Sequence, residues 1–134
     1  IGVSKIIDVA TLTGAIRIAL GTNYAGIFGN NDDLIKNIID SGKLVGEKIW
    51  KLPLDHDYDH QYESQVADFK NTGGRDAGSI TGAQFIGEFV GEIPWAHLDI
   101  AAISRTSLDK YYYRKGATGF AVRTLIEFAR SFAI

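Results

Sequence analysis

The stretch from Lys5 to Gly21 constrains the chain most, because two apolar runs of different character meet there at a four-residue break. Lys5 to Ala10 is short and β-branched with Asp8 set into it, which predicts a strand. Thr11-Leu12-Thr13-Gly14 is a turn, and the apolar run after it predicts a buried helix closed by Gly21. The two threonine hydroxyls can cap that helix, Gly14 lets another group come close to the backbone, and Gly21 suits a left-handed C-terminal residue. In an α/β sheet such a turn lies at the carboxyl end of a strand, where ligands usually bind.

The rest of the chain repeats this alternation. Tyr24 to Phe28 reads as a second strand and Gly29-Asn30-Asn31 as a turn, with Asn31 capping a helix whose first turn carries Asp32 and Asp33. Leu34, Ile38, Val45 and Ile49 recur at helical spacing, so an amphipathic helix is expected to run to Trp50-Lys51-Leu52, where Pro53 ends it. Asp55 to Gln65 reads as a short surface helix and Val66 to Lys70 as extended. The glycine-rich loop Asn71 to Gly78 leads into a helix from about Ser79 to Val90, with Phe85, Ile86, Phe89 and Val90 on its buried side. After Pro94, a strand from Trp95 to Ile100 sets His97 and Asp99 on one face and Leu98 and Ile100 on the other. A polar loop from Ser104 to Gly116 carries Tyr111, Tyr112 and Tyr113, and the last helix, Ala117 to Phe132, is expected to bury Val122, Leu125, Ile126 and Ala129. Helices alternating with short strands mean an α/β sheet covered on both faces. No repeat or linker divides residues 1–134.

Composition narrows the function classes. With 46% hydrophobic and 22% charged residues the chain can bury a core, and its net charge of −2 gives no reason to expect nucleic acid or an anionic membrane surface. Arg114-Lys115 is the densest basic spot. The apolar runs fall far short of the roughly 20 residues of a membrane span. The chain has no cysteine, which fits a cytosolic protein. It begins at Ile1, contains no methionine and enters a core strand within five residues, so Ile1 is read as a cut inside a longer protein.

Three local patterns could carry chemistry. His56 and His60, four apart among Asp55, Asp57 and Asp59, could ligate a metal from a helix; otherwise they form a solvated helix start. His97 and Asp99, with Ser104 as a third member, could form a hydrolase triad; the plainer reading is a satisfied core pair, and no Gly-x-Ser-x-Gly elbow is present. The loop Gly73 to Gly78 before a helix could cradle a phosphate, as could the Thr13-Gly14 helix start in a nucleotide-binding domain. The first lacks the dinucleotide-binding glycine spacing and a Walker lysine, so a structural or subunit-facing loop is the stronger reading.

Four blocks carry a resemblance. Ile7-Asp8-Val9-Ala10-Thr11-Leu12-Thr13-Gly14-Ala15, Asn71-Thr72-Gly73-Gly74-Arg75, Trp95-Ala96-His97-Leu98-Asp99-Ile100-Ala101 and Lys115-Gly116-Ala117-Thr118-Gly119 resemble, in order and spacing, the leucyl (cytosol) aminopeptidase family. The resemblance implies a mixed β-sheet with helices on both faces, the C-terminal segment of a larger aminopeptidase catalytic domain. It implies a parent enzyme that releases N-terminal amino acids from peptides with two divalent metal ions, zinc or manganese, and with a bound bicarbonate. Such a parent is expected to be cytoplasmic and to form homohexamers. The family's Asp-x-Glu-x-Arg motif is not in this chain; the metal ligands and catalytic lysine are expected before Ile1. This chain is then the substrate side of the site and inactive alone, completed by the missing upstream part. The resemblance places Thr11, Leu12 and Gly14 against the peptide substrate through backbone groups, with the Leu12 amide near the bicarbonate, and has Ala101 and Ser104 line the pocket for the first side chain. A small residue at 101 leaves room for a leucine-like group. The rival reading is a non-catalytic α/β binding or assembly subunit that lacks the metal ligands.

Overall fold

The computed structural model describes residues 2–109 and 112–132; Ile1 and Tyr111 lie outside them. Strand β1 (Ile6–Ala10) leads through the opening turn into helix α1 (Gly14–Leu20), then β2 (Ala25–Gly29), α2 (Asp32–Leu44) and β3 (Ile49–Lys51). A 3-10 helix over His56–Gln61 precedes α3 (Gly78–Gly87) and β4 (Trp95–Asp99), and a small hairpin of β5 (Arg105–Thr106) and β6 (Gly116–Ala117) precedes α4 (Val122–Arg130). The main sheet has the order β1-β4-β2-β3. It is mixed: β4 is parallel to β1 and antiparallel to β2, and β3 is parallel to β2.

Both faces are covered. Ile27, Ala96 and Leu98 meet Leu34, Ile35 and Ile38 of α2 and Phe128 of α4 on one side. On the other, Phe28 packs with Ile16 of α1 and Ala83 of α3. β4 is buried along its whole length, as a central strand between two helical layers must be.

Several local expectations hold to the residue. The Thr13 hydroxyl accepts from the Ile16 amide, the Asn31 side chain accepts from the Leu34 amide, and Gly21 is left-handed at φ 64°. Others are corrected. α2 stops at Leu44, well short of Trp50, because Gly46 turns the chain at φ 74° and the Glu47 amide folds back onto the Gly42 carbonyl. Ile49 then belongs to a strand that pairs with β2. α1 is not a buried helix: only Ile16 is buried, and Ile18 is 86% exposed. α3 turns inward Ser79, Thr81, Ala83 and Gln84, not the expected Phe89, whose ring joins Phe69 and Phe85 in an edge-to-face cluster nearer the surface. α4 buries Thr124 and Phe128, while Val122, Ile126 and Ala129 face outward. The expected surface helix at Asp55 to Gln65 is a 3-10 helix followed by buried Tyr62, and the stretch from Val66 makes only a single bridge, between Glu63 and Phe69.

Candidate active site

The opening turn owes its shape to Asp99. This aspartate ends β4 directly opposite Ala10 at the end of β1, so its carboxylate meets the chain as it leaves β1. Asp99 Oδ1 accepts from the amides of Leu12 and Ala101, both at 3.1 Å. Asp99 Oδ2 accepts from the Thr13 amide at 3.1 Å and the Thr13 hydroxyl at 2.7 Å. One fully buried carboxylate thereby holds two loops, and charge-assisted bonds of this kind are about twice as strong as neutral ones. Thr13, fixed by Asp99, is the cap of α1.

The turn faces a cleft of about 340 Å³, lined on one wall by Leu12, Thr13, Gly14 and Ala15. Its other wall is the loop from Lys70 to Arg75 with Gly78, Thr81 and Gly82 of α3. α3 comes this close because Gly82 has no side chain: a Cβ there would lie 2.9 Å from Thr13 Cγ2. At Gly14 the situation is reversed, since a Cβ would meet nothing within 4 Å. The close approach expected at Gly14 is therefore not made by any part of the described chain.

Behind the cleft, Tyr62 donates its hydroxyl to Asp59 Oδ1 at 2.6 Å and lies 3.0 Å from Glu88 Oε1. Burial, then those two carboxylates, push the phenol far above its ordinary value, so it remains a proton donor. Burial would raise the Asp59 carboxyl, but hydrogen bonds from Tyr62 and His56 outweigh it and leave it below its usual range. The hydrogen bond to Asp59, with its charge, raises the exposed His56 imidazole.

The expected residues separate into groups. Leu12 and Gly14 line the cleft, and Thr11 is exposed beside them. Ala101 stands behind the turn, tied to the same Asp99 oxygen as Leu12. Ser104 lies one turn further, its amide bonded to the Ile100 carbonyl and its carbonyl to the Thr118 amide. Ala101 and Ser104 are not among the residues lining the cleft. The Leu12 amide is engaged by Asp99.

The other patterns dissolve in the fold. His97 does not pair with Asp99; its Nδ1 lies 2.5 Å from Asp8 Oδ1, and Asp8 Oδ2 accepts from Trp95 Nε1, so no Ser-His-Asp geometry forms. His56 bonds Asp59 while His60 bonds the Asp57 carbonyl. A 3-10 helix has three residues per turn and does not stack positions four apart. Among the described residues no three His, Asp or Glu side chains converge as metal ligands. The sequence reading missed Asp99 as organiser of the turn, although it sits inside one of the four blocks, and it missed the Lys70 to Arg75 loop as a cleft wall.

A ligand-sized cleft lies beside a turn at the carboxyl ends of β1 and β4 in this α/β fold. Residues 2–126 match the catalytic domain of the cytosol aminopeptidase family, and the chain belongs to that family. It is 51% identical over 119 residues to a probable cytosol aminopeptidase of Bradyrhizobium sp. strain BTAi1, covering 89% of this chain and 24% of that protein. It is 48% identical over 132 residues to the probable cytosol aminopeptidase of Koribacter versatilis, covering 98% and 26%. Its fold matches a mutant of tomato leucine aminopeptidase with a TM-score of 0.87 at 45% identity, covering 94% of this chain and 24% of that one. It also matches the bottromycin maturation enzyme BotP in complex with Mn, with a TM-score of 0.92 at 39% identity, covering 98% and 29%. The chain thus spans about a quarter of the length of these relatives.

Proposed function

We propose that this chain is the substrate-holding segment of a metal-dependent leucyl aminopeptidase, the C-terminal part of its catalytic domain. The peptide's main chain runs along Thr11, Leu12 and Gly14, and its first side chain points toward Ala101 and Ser104. The observation that carries this reading is Gly14. It needs no positive φ, a Cβ there would touch nothing, and yet it faces a cleft beside a turn locked by Asp99. Neither folding nor packing within the chain asks for glycine at that position; a ligand passing close to the backbone does.

The resident metals of such an enzyme would supply the activated water and polarise the scissile carbonyl. Among the described residues no three His, Asp or Glu side chains converge as metal ligands, and the proposal assigns this chain the positioning of the substrate. The upstream part holds the metals and bicarbonate, and the whole assembles as a hexamer. The names of the relatives favour the cytosol, and no helix among the described residues is long and apolar enough to cross a membrane.

The test is Gly14→Ala in the full-length protein. Alanine is about 1 kcal/mol better than glycine inside a helix, so melting should hold steady or rise. A methyl that shifts the bound peptide by about 1 Å can cost on the order of a hundredfold in rate. We expect catalytic efficiency on leucine anilide to fall at least tenfold with metal content unchanged. Full activity in a fully metallated mutant would leave the turn as a helix cap and nothing more.

A further inference from the structure

On the other side of α1 from the cleft lies a second, larger concavity of about 760 Å³, and the two share no lining residue. Its walls bring together Arg17 from α1, Lys48 from the segment before β3, Arg105 from β5 and Lys115 from the segment before β6. Those four cations are far apart in sequence. No aspartate or glutamate lines the groove, in a chain whose net charge is −2. None of the four forms an ion pair among the described residues; the neighbouring Arg114 is the one that pairs with Asp109. A concave wall of one charge sign focuses the field inside it and draws in the opposite charge.

Tyr112 and Tyr113 complete the wall. Arg123, itself held by Glu47, donates to the hydroxyl oxygens of Tyr112 at 2.6 Å and Tyr113 at 3.0 Å. Tyr112 in turn directs its O–H at the Tyr113 hydroxyl at 3.5 Å, so the Tyr113 O–H is the donor left to turn toward an anion. Arg123 also lies against the Tyr112 ring, 4.1 Å from its centroid, and fixes the ring's plane.

We propose that this groove binds a compact polyphosphate, carried by a nucleoside triphosphate or present as a short inorganic chain. Several cations around one small concavity match several phosphate charges held close together, and lysine and arginine are the side chains that take phosphate. The volume falls in the range of small-molecule sites, about 300–1,000 Å³. A nucleic acid duplex fits less well, because its charges extend one per about 1.7 Å along an axis and the surface beyond the groove belongs to an acidic chain.

The experiment is calorimetric titration of the full-length protein, in excess magnesium, with sodium tripolyphosphate, ATP and a 20-base-pair duplex as separate probes. Binding is the readout, so the result is independent of peptidase activity. We expect tripolyphosphate and ATP to bind at one site per chain, and R105A/K115A to weaken both at least tenfold. K36A/K43A, on the exposed face of α2, should change neither. Equal affinities would assign the site to the phosphates alone, and tighter ATP would add base stacking on the tyrosines. The conservative R105K/K115R should bind within threefold of the unmutated protein, which separates lost charge from lost fold. Absence of binding by tripolyphosphate and ATP at millimolar concentration would overturn the proposal. So would unchanged affinity in R105A/K115A, or tighter binding of the duplex than of tripolyphosphate.

Discussion

Asp99 and Glu47 are two buried carboxylates that solve the same problem on opposite faces of the sheet. Glu47 Oε2 accepts from the Ala121 amide at 3.1 Å, the Thr124 amide at 3.1 Å and the Thr124 hydroxyl at 2.6 Å, and so caps α4 from 77 residues away. Asp99 takes two amides and a hydroxyl in the same way at the start of α1. Each replaces lost hydration with donors aimed at it, which is the condition for burying a carboxylate. What differs is the surroundings. Glu47 is enclosed by protein, whereas the donors of Asp99 belong to a turn whose other side faces an open cleft. The same device therefore holds core in one place and shapes the wall of a cleft in the other.

The largest effect that distinguishes them should come from Glu47→Ala. It leaves two amides and a hydroxyl unsatisfied in the interior, at about 1–3 kcal/mol each, so a loss of 3 kcal/mol or more is expected in urea unfolding. If α4 stayed docked at smaller cost, the carboxylate would be a passenger rather than the cap. Asp99→Asn is next. It keeps the volume but replaces one acceptor oxygen with an amide, so stability should fall by only about 1–2 kcal/mol. On the proposed function, the full-length protein should lose catalytic efficiency on leucine anilide about a hundredfold as the turn shifts. Equal proportional loss of stability and activity would erase the distinction between the two carboxylates.

The smallest effects concern the starts of α3 and α4, where Ala77 (φ 52°) and Ala121 (φ 75°) are left-handed and neither side chain caps its helix. That conformation costs an L-residue roughly 1–2 kcal/mol, against 0.5–1 kcal/mol of extra chain entropy for glycine. Ala77→Gly should raise stability by about 0.5 kcal/mol on that balance. Ala121→Gly should be near neutral, because it also removes a methyl from the core around Phe128 and Leu98. Melting curves of the two variants side by side would show whether the strain or the lost contact dominates.

The same division runs through what could be read in advance. The strand-turn-helix opening, the caps at Thr13 and Asn31 and the left-handed Gly21 all depend on atoms within a few residues of one another. Spacing and turn chemistry therefore determined them, and with them the α/β class, whereas the family was legible only through the resemblance of the four blocks. The end of α2 was misread because Leu34, Ile38, Val45 and Ile49 keep helical spacing across Gly46, where the backbone turns. The rotation of α4 was misread because apolar pattern alone points Val122 and Ile126 inward, while a glutamate distant in sequence draws Thr124 in instead.

The cleft and the groove belong wholly to the tertiary structure. Asp99 reaches Thr13 across 86 residues, and Gly82 matters only because α3 lies against the opening turn. Arg17, Lys48, Arg105 and Lys115 form no cluster along the chain and become one positive wall only when four segments fold together. A local hydrogen bond is specified by neighbours whose separation the chain fixes. A site made of distant segments is specified by the packing of the whole sheet and its helices, and that packing decided which atoms face solvent together.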